Sequence, residues 1–442
     1  MQRPPETQCD LILQASLLLT QDENRSIIED AAIAIKDGRI EALGKATQLQ
    51  DYKAPARIDL GKALLMPGLV NGHTHVSMTV LRGLADDLPL MAWLNEHIFP
   101  REKHFTAEIV ELGALLGCAE MTRTGTTAFS DMYVIEDAVA WGVEKSGLRC
   151  QLGEGVFAFP SPAYAETEQA FAIIREQAAK YAAHPRIRMA VMPHTTYTTT
   201  RKILENCADL ARECDLPLYL HLAETQTETE ASLSAHGMRP VAYCQNLGLF
   251  GPSTTIAHGV HLMPEELDLL AASSTHIVHN PKSNMKLASG VAPVPDMLSR
   301  GMLPGLGTDG AASNNSLNMF SEMSFCALLH KSACGDPTVC PAATVLDMAT
   351  LGSAAAIAWP ELGKLTPGGP ADVIALDLDS PNLQPMYSPV SHLVYAASGH
   401  EVKFSMVGGE VLYHDGAYTR LDYPALLEEA EKMRHWVKTH GN

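Results

Sequence analysis

Between Leu65 and about Leu365 the chain alternates short β-prone runs with longer helical segments, and this alternation constrains its fold more than any other feature. Strands separated by helices of ten or more residues read as βα units that build a parallel sheet. The helical segments include Ala107 to Arg123, Glu166 to Ala183 and Lys202 to Cys214. Eight candidate strands stand among them: Leu65 to Val70, Thr127 to Ser130, Arg149 to Gly153, Ile187 to Met192, Leu218 to Leu222, Thr255 to Ala257, His276 to Val278 and Leu303 to Leu306. Eight is the number that closes a barrel, so the expected fold is α/β, a (β/α)8 TIM barrel. Pro281 to Pro295 is expected to be a long loop after the seventh strand, long enough to cover a site.

The two ends read differently. Asp10 to Leu13, Ala32 to Ile35 and Arg39 to Leu43 are strand-like, and Asp37-Gly38 is a hairpin signal. Ala371 to Asp377, Val402 to Val407 and Glu410 to Tyr413 have the same character. The expectation is that residues 1–63 and 369–442 pair into one small β-sandwich domain beside a barrel of residues 64–368. A terminal helix, Tyr423 to Lys438, is expected to pack outside.

Composition narrows the function classes. Apolar residues make up 46 % and charged residues 19 %, enough for a large core. The balance of 32 basic against 51 acidic residues, net −19, disfavours phosphate backbones and anionic lipid, so neither nucleic acid nor membrane is expected as a partner. Nine cysteines, odd in number and without a C-x-x-C pair, point to a reducing cytoplasm rather than a disulfide framework. The opening Met1 to Thr7 and the broken apolar stretch Leu11 to Leu19 lack a small-residue cleavage site and are not expected to be a signal peptide. No window approaches the ~18 apolar residues of a membrane span.

The 18 histidines matter because of where they sit. The polar residues at the ends of the candidate strands are His73 and His75, Asp131, Glu154, His194, His221 and Glu224, His258, His279 and Asn280, and Asp309. The C-terminal ends of barrel strands form the active-site face. His73-Thr-His75 puts two imidazoles on one side of an extended chain. His221 and Asp309 arrive from two further strand ends, and three imidazoles with one carboxylate match zinc, with water completing the shell. Iron and manganese share such ligands. Glu224, three residues past His221, is placed to take a proton from a zinc-acidified water and pass it on. His258 is placed to stabilise the same species electrostatically. His261 receives no role. His194 stands where some barrel hydrolases carry a metal-bridging lysine, so a single metal is expected.

As a set these residues resemble the amidohydrolase superfamily. Within it, Pro67-Gly-Leu-Val-Asn-Gly-His-Thr-His75, Leu81-Arg-Gly-Leu-Ala-Asp-Asp-Leu88, Trp93-Leu94, His221-Leu-Ala-Glu224, His279-Asn-Pro-Lys-Ser-Asn-Met-Lys-Leu287 and Gly307-Thr-Asp-Gly-Ala-Ala-Ser-Asn-Asn315 resemble the methylthioadenosine/S-adenosylhomocysteine deaminase family over nearly the whole chain. The resemblance implies hydrolytic deamination at adenine C6, with His73, His75, His221 and Asp309 as metal ligands. It further implies that Glu224 moves a proton onto the purine, that Asp309 takes one from water, that Glu102 and His194 contact the ribose, and that Trp93 lines the sugar side. Relatives that accept the homocysteine compound carry an arginine where this chain has Glu154; without it a substrate carboxylate lacks its bidentate partner. A short thioether, methylthioadenosine, is therefore the expected substrate, with Phe157 and Phe159 lining its 5′ end. The alternatives are adenosine or S-adenosylhomocysteine deamination, guanine or s-triazine hydrolysis, and a non-catalytic barrel scaffold. A homo-oligomer fits the pattern of apolar helices.

Overall fold

The structure, a computed structural model, describes residues 7–439. Residues 1–6, which open the stretch read against a signal peptide, lie outside the described residues. The two ends pair as the sequence suggests. Leu11–Leu19, Ile27–Lys36, Arg39–Lys45, Ala56–Asp59 and Ala63–Pro67 form one mostly antiparallel sheet with Val373–Asp377, Val402–Val407, Glu410–His414 and Ala417–Tyr418. The join between the ends is the antiparallel ladder of Ala63–Pro67 with Val373–Asp377. Leu13, Ile33, Ile35, Leu65, Val373, Phe404 and Met406 form the apolar core on this sheet.

The Asp37-Gly38 hairpin is present. Lys36 pairs with Arg39, and Asp37 and Gly38 take φ values of 50° and 73°, the doubly left-handed turn whose twist suits a two-residue loop. A side chain at Gly38 would meet the Gly408 carbonyl oxygen at 2.6 Å, so this turn also lets two backbones approach.

The expected strand Leu65 to Val70 is two strands. Ala63–Pro67 belongs to the terminal sheet, and Leu69–Thr74 begins the parallel body. The chain therefore passes from the terminal sheet to the parallel sheet at Gly68. The apolar run is continuous because both strands are buried, and hydrophobicity carries no mark of the change in partner.

Leu69–Thr74, Thr126–Tyr133, Arg149–Val156, Ile187–Met189 and Met192–Pro193 make one parallel sheet. Leu218–Leu222, Thr254–His258, His276–His279 and Gly305–Leu306 make a second. Tyr219 N donates to Val191 O at 3.0 Å, and Asp309 N donates to His73 O at 3.0 Å, so hydrogen bonds run between the two sheets. Ala107–Arg123, Thr167–Tyr181, Arg201–Cys214 and Met319–Cys334 are the long helices of this body, and Tyr423–Thr439 packs against Ala107–Arg123. Arg149 and Asp372 bridge body and terminal sheet through a buried bidentate ion pair at 2.7 and 3.0 Å.

The stretch expected as a loop, Pro281 to Pro295, starts with a helix, Pro281–Lys286, and enters another, Val294–Ser299. Proline in the first helical turn lacks only an N–H that has no intrahelical partner there anyway, so Pro281, first in its helix, and Pro295, second in the next, are accommodated and do not break these helices.

Candidate active site

The site is assembled where the parallel strands end. His73 lies in Leu69–Thr74, and the next turn is fixed by Asp131, whose Oδ1 accepts from Thr74 Oγ1 and from Val76 N, both at 2.6 Å. His75 then points the same way as His73, with its Nδ1 on the Met132 carbonyl. His221 Nδ1 sits 2.9 Å from the His194 carbonyl. In both rings the carbonyl contact fixes the proton on Nδ1 and leaves the Nε2 lone pair facing inward, which is the form that binds a cation.

Three imidazoles and a carboxylate gather around His73 and His75 in two overlapping groups. His75 Nε2 is 3.2 Å and His73 Nε2 3.6 Å from Asp309 Oδ1, while His221 Nε2 is 3.3 Å from His75 Nε2. Two nitrogens on one tetrahedral zinc stand roughly 3.3 Å apart, given Zn–N bonds of about 2.0–2.1 Å. His73 Nε2 is buried with no hydrogen-bond partner. An inward lone pair left unspent beside others is unfavourable until a cation accepts them. The donor set therefore fits a divalent metal: His73, His75 and His221 form one group of close ligand atoms, and His73, His258 and Asp309 another.

Burial and mutual repulsion hold His73 and His221 well below the usual imidazole range. Burial also lowers His75, yet without a cation the Asp309 carboxylate outweighs it and lifts His75 to about 9, so this point favours a positive charge, which a bound metal would supply in place of the proton on Nε2. Asp309 is kept well below the usual carboxylate range by these rings, against a burial that raises it. Its other oxygen accepts from Ser283 Oγ at 2.6 Å and Ser313 Oγ at 3.0 Å. Such hydroxyls leave a carboxylate aimed at the cluster. Asp309, His258 and Ala223 all take left-handed φ values, 62°, 75° and 54°. Non-glycine residues so held at strand ends are the strain expected where a fold aims side chains for chemistry.

Glu224 faces His258, Oε2 to Nε2 at 3.9 Å, and His258 Nδ1 is held by Asn284 Oδ1 at 2.8 Å. Burial pushes the Glu224 carboxyl up, favouring the protonated form. The pocket above is lined by apolar Met78, Leu90, Trp93, Leu94, Phe99, Val134, Phe157 and Leu287, with Glu102, His194, Thr195 and Tyr197 as polar members. Glu102 accepts a 2.5 Å hydrogen bond from Tyr133 Oη, and burial lifts its carboxyl to about 7. His194 Nδ1 lies 2.9 Å from Thr198 Oγ1, with its ring 4.8 Å from Phe157.

Every residue singled out from the sequence for metal, proton transfer or ribose lines this pocket or its base, while Phe159 stands at its edge, 40 % exposed and packed on Phe157. Glu154 does not face it. Its carboxylate accepts from Ile135 N at 3.0 Å and Glu136 N at 2.9 Å, capping the helix Glu136–Ser146. The strand Arg149–Val156 continues past Glu154, so its period of two turns that side chain away. His261 Nε2 lies 2.7 Å from the Ser289 carbonyl, a loop-holding contact. Sequence reasoning missed Tyr133, Ser283, Ser313 and Asn284. The last three sat within strings already noted, and only Tyr133 had no signal beyond its place after Asp131.

The comparisons with known proteins agree. Residues 64–412 match the amidohydrolase family. A 5-methylthioadenosine/S-adenosylhomocysteine deaminase of Nitratidesulfovibrio vulgaris is 59 % identical over 97 % of this chain and 98 % of its own length. A 5'-deoxyadenosine deaminase of Methanothermobacter thermautotrophicus is 43 % identical over 94 % of this chain and 97 % of its own. Among solved structures, an adenosine deaminase from Xanthomonas campestris with bound zinc superposes with a TM-score of 0.96 at 36 % identity, covering 99 % of this chain and all of the other. With a family match over most of its length and full-length relatives this similar, the chain belongs to the amidohydrolase family, in the branch of the methylthioadenosine/S-adenosylhomocysteine deaminases.

Proposed function

We propose that the protein deaminates 5'-methylthioadenosine to 5'-methylthioinosine and ammonia. The observation that carries this reading is the meeting of His73, His75, His221 and Asp309 with Glu224 and His258 beneath a pocket whose lining holds no lysine or arginine. Three imidazoles and an aspartate suit one zinc per chain, with iron or manganese as substitutes. When bound, zinc acts as a Lewis acid that brings the pKa of water towards about 7.

The chain's own groups do the rest. Protonated Glu224 donates to the ring nitrogen beside C6, which draws electron density from that carbon as water adds. Asp309 takes the one proton that water gives up, with His258 stabilising the charge that develops. That proton passes to the exocyclic nitrogen, which leaves as ammonia, while the C6 hydroxyl proton of the adduct returns to Glu224 as the carbonyl forms. Glu102, fixed by Tyr133, accepts from a ribose hydroxyl, with His194 as the second ribose contact and Trp93 against the sugar. These contacts orient C6 over the reactive centre, which is the entropic part of catalysis.

The missing cation separates the substrates. S-adenosylhomocysteine carries a carboxylate that needs a partner, and leaving it unpaired in an apolar pocket is costly. A methylthio group is content beside Phe157, Phe99 and Leu94. The two parallel sheets are read as one closed (β/α)8 barrel, supported by the Tyr219–Val191 and Asp309–His73 hydrogen bonds, and the terminal sheet as a small sandwich beside it. A cytoplasmic setting is supported by nine cysteines that are all free and by the absence, among the described residues, of a helix long and apolar enough to cross a membrane. The deciding experiment is kcat/KM of the zinc-loaded protein on methylthioadenosine, adenosine and S-adenosylhomocysteine, followed by ammonia release. Methylthioadenosine should lead the series, and no ammonia from any of the three would reject the reading.

A further inference from the structure

A second cluster of ligand-type side chains lies outside the pocket. Cys326 and His330 are four residues apart on the helix Met319–Cys334 and so share one face. His279 ends the strand His276–His279, and its neighbour Asn280 faces the other way, with Nδ2 3.4 Å from His258 Nδ1. Alternation along the strand thus sends His279 away from the pocket. His279, Cys326 and His330 are 0 %, 0 % and 1 % exposed, and their ligand atoms all lie within 4.8 Å of one another. The two Nε2 atoms are 3.2 Å apart.

We propose that His279, Cys326 and His330 form a second, buried metal site for a thiophilic d10 ion, Cu+ in preference to Zn2+. A histidine–histidine hydrogen bond explains the short nitrogen contact, but not the rest. His279 Nδ1 is buried without a partner, so packing leaves polar capacity unspent in the core, and a thiol beside two imidazoles completes a soft donor set. Burial holds His279 well below its usual range and His330 down at about 4, so both rings are neutral and ready to ligate. The same burial pushes the Cys326 thiol well up, so binding must break its S–H bond and release one proton to solvent as the metal–sulfur bond forms.

Charge selects the ion. One thiolate, two neutral imidazoles and Cu+ sum to zero, which a buried site tolerates, whereas Zn2+ leaves a net positive charge and lacks a fourth ligand in the cluster. Cys334 is exposed at the end of the same helix, and buried Cys340 is near enough to both Cys334 and Cys326 for their charges to interact.

The test is an anaerobic titration of the zinc-loaded full-length protein with Cu+ against a chromophoric Cu+ chelator, with Cys326→Ala, His330→Asn and Cys334→Ala in parallel. The wild type should take up one tight equivalent that both Cys326→Ala and His330→Asn lose and Cys334→Ala retains. X-ray absorption should give one sulfur and two nitrogens around copper. Cys326→Ala removes a small apolar group and should keep the native circular dichroism even if His330→Asn does not fold. Equal copper uptake by wild type and Cys326→Ala, or loss of uptake only in Cys334→Ala, would overturn the site. A second zinc equivalent dependent on Cys326, without copper uptake, would overturn the assignment of the ion.

Discussion

Two concentrations of buried charge lie side by side at the strand ends, and they differ in how that charge is satisfied. In the first, His73, His75, His221 and Asp309 face one another, with His73 Nε2 unpartnered and a pocket above. In the second, Asp131, Glu136 and Glu154 sit behind the turn that carries His75. Glu154 is used by two backbone amides, Glu136 by the Tyr133 amide, and Asp131 by Thr74 and Val76. Burial raises all three carboxyls, Asp131 to about 6, Glu154 to about 7 and Glu136 well above its ordinary value. Buried polarity spent on the protein's own backbone builds the scaffold; buried polarity left facing a cavity is available to a ligand.

The contrast can be broken by substitution. Glu224→Gln should lower kcat by about a thousandfold, the scale of a lost general acid, with zinc content and Tm unchanged. A variant that kept its rate would remove Glu224 from the proton path. Glu102→Gln should cost on the order of tenfold to a hundredfold in kcat/KM, mostly through KM, as expected for a charged hydrogen bond worth about 1.5–3 kcal/mol. Adenine nucleosides lacking the ribose hydroxyls should show no such difference between the two proteins.

On the scaffold side, Glu154→Ala leaves two amides at the start of Glu136–Ser146 without their acceptor. It should cost about 1–3 kcal/mol of stability, measured by denaturant unfolding, while KM for methylthioadenosine stays within error. A large rise in KM with intact stability would erase the distinction between the two regions. Phe157→Arg should improve S-adenosylhomocysteine relative to methylthioadenosine by about tenfold, since a guanidinium offers its carboxylate a bidentate partner.

The smallest effect is one of pH. Glu154 rises from 4.5 to about 7 in the folded chain, so between these values the native state holds more protons than the unfolded state. Stability must then fall as pH rises through that window. Glu154→Gln should make the loss of Tm between about pH 5 and pH 7 shallower, and an unchanged slope would mean that Glu154 titrates normally.

Much of this was legible beforehand because it depends on local spacing. The helix Ala107–Arg123 and the strand Leu218–Leu222 have the limits their periodicity suggests. The Asp37-Gly38 turn follows from the chirality of the backbone. What escaped was whatever depends on a distant partner. Pro67 and Leu69 belong to different sheets although both lie in one apolar run, and Glu154, three residues short of pocket-lining Phe157, turns to a helix start instead.

The sequence by itself determined the alternation of strands and helices, the donor types at their ends, and the family, because periodicity and residue chemistry are written locally along the chain. Only the tertiary structure decided that Tyr133 holds Glu102, that Asn284 orients His258, and that His279 turns from the pocket towards Cys326 and His330. Those choices depend on which residues far apart in sequence are brought within a few ångströms, and packing, not pattern, sets those distances.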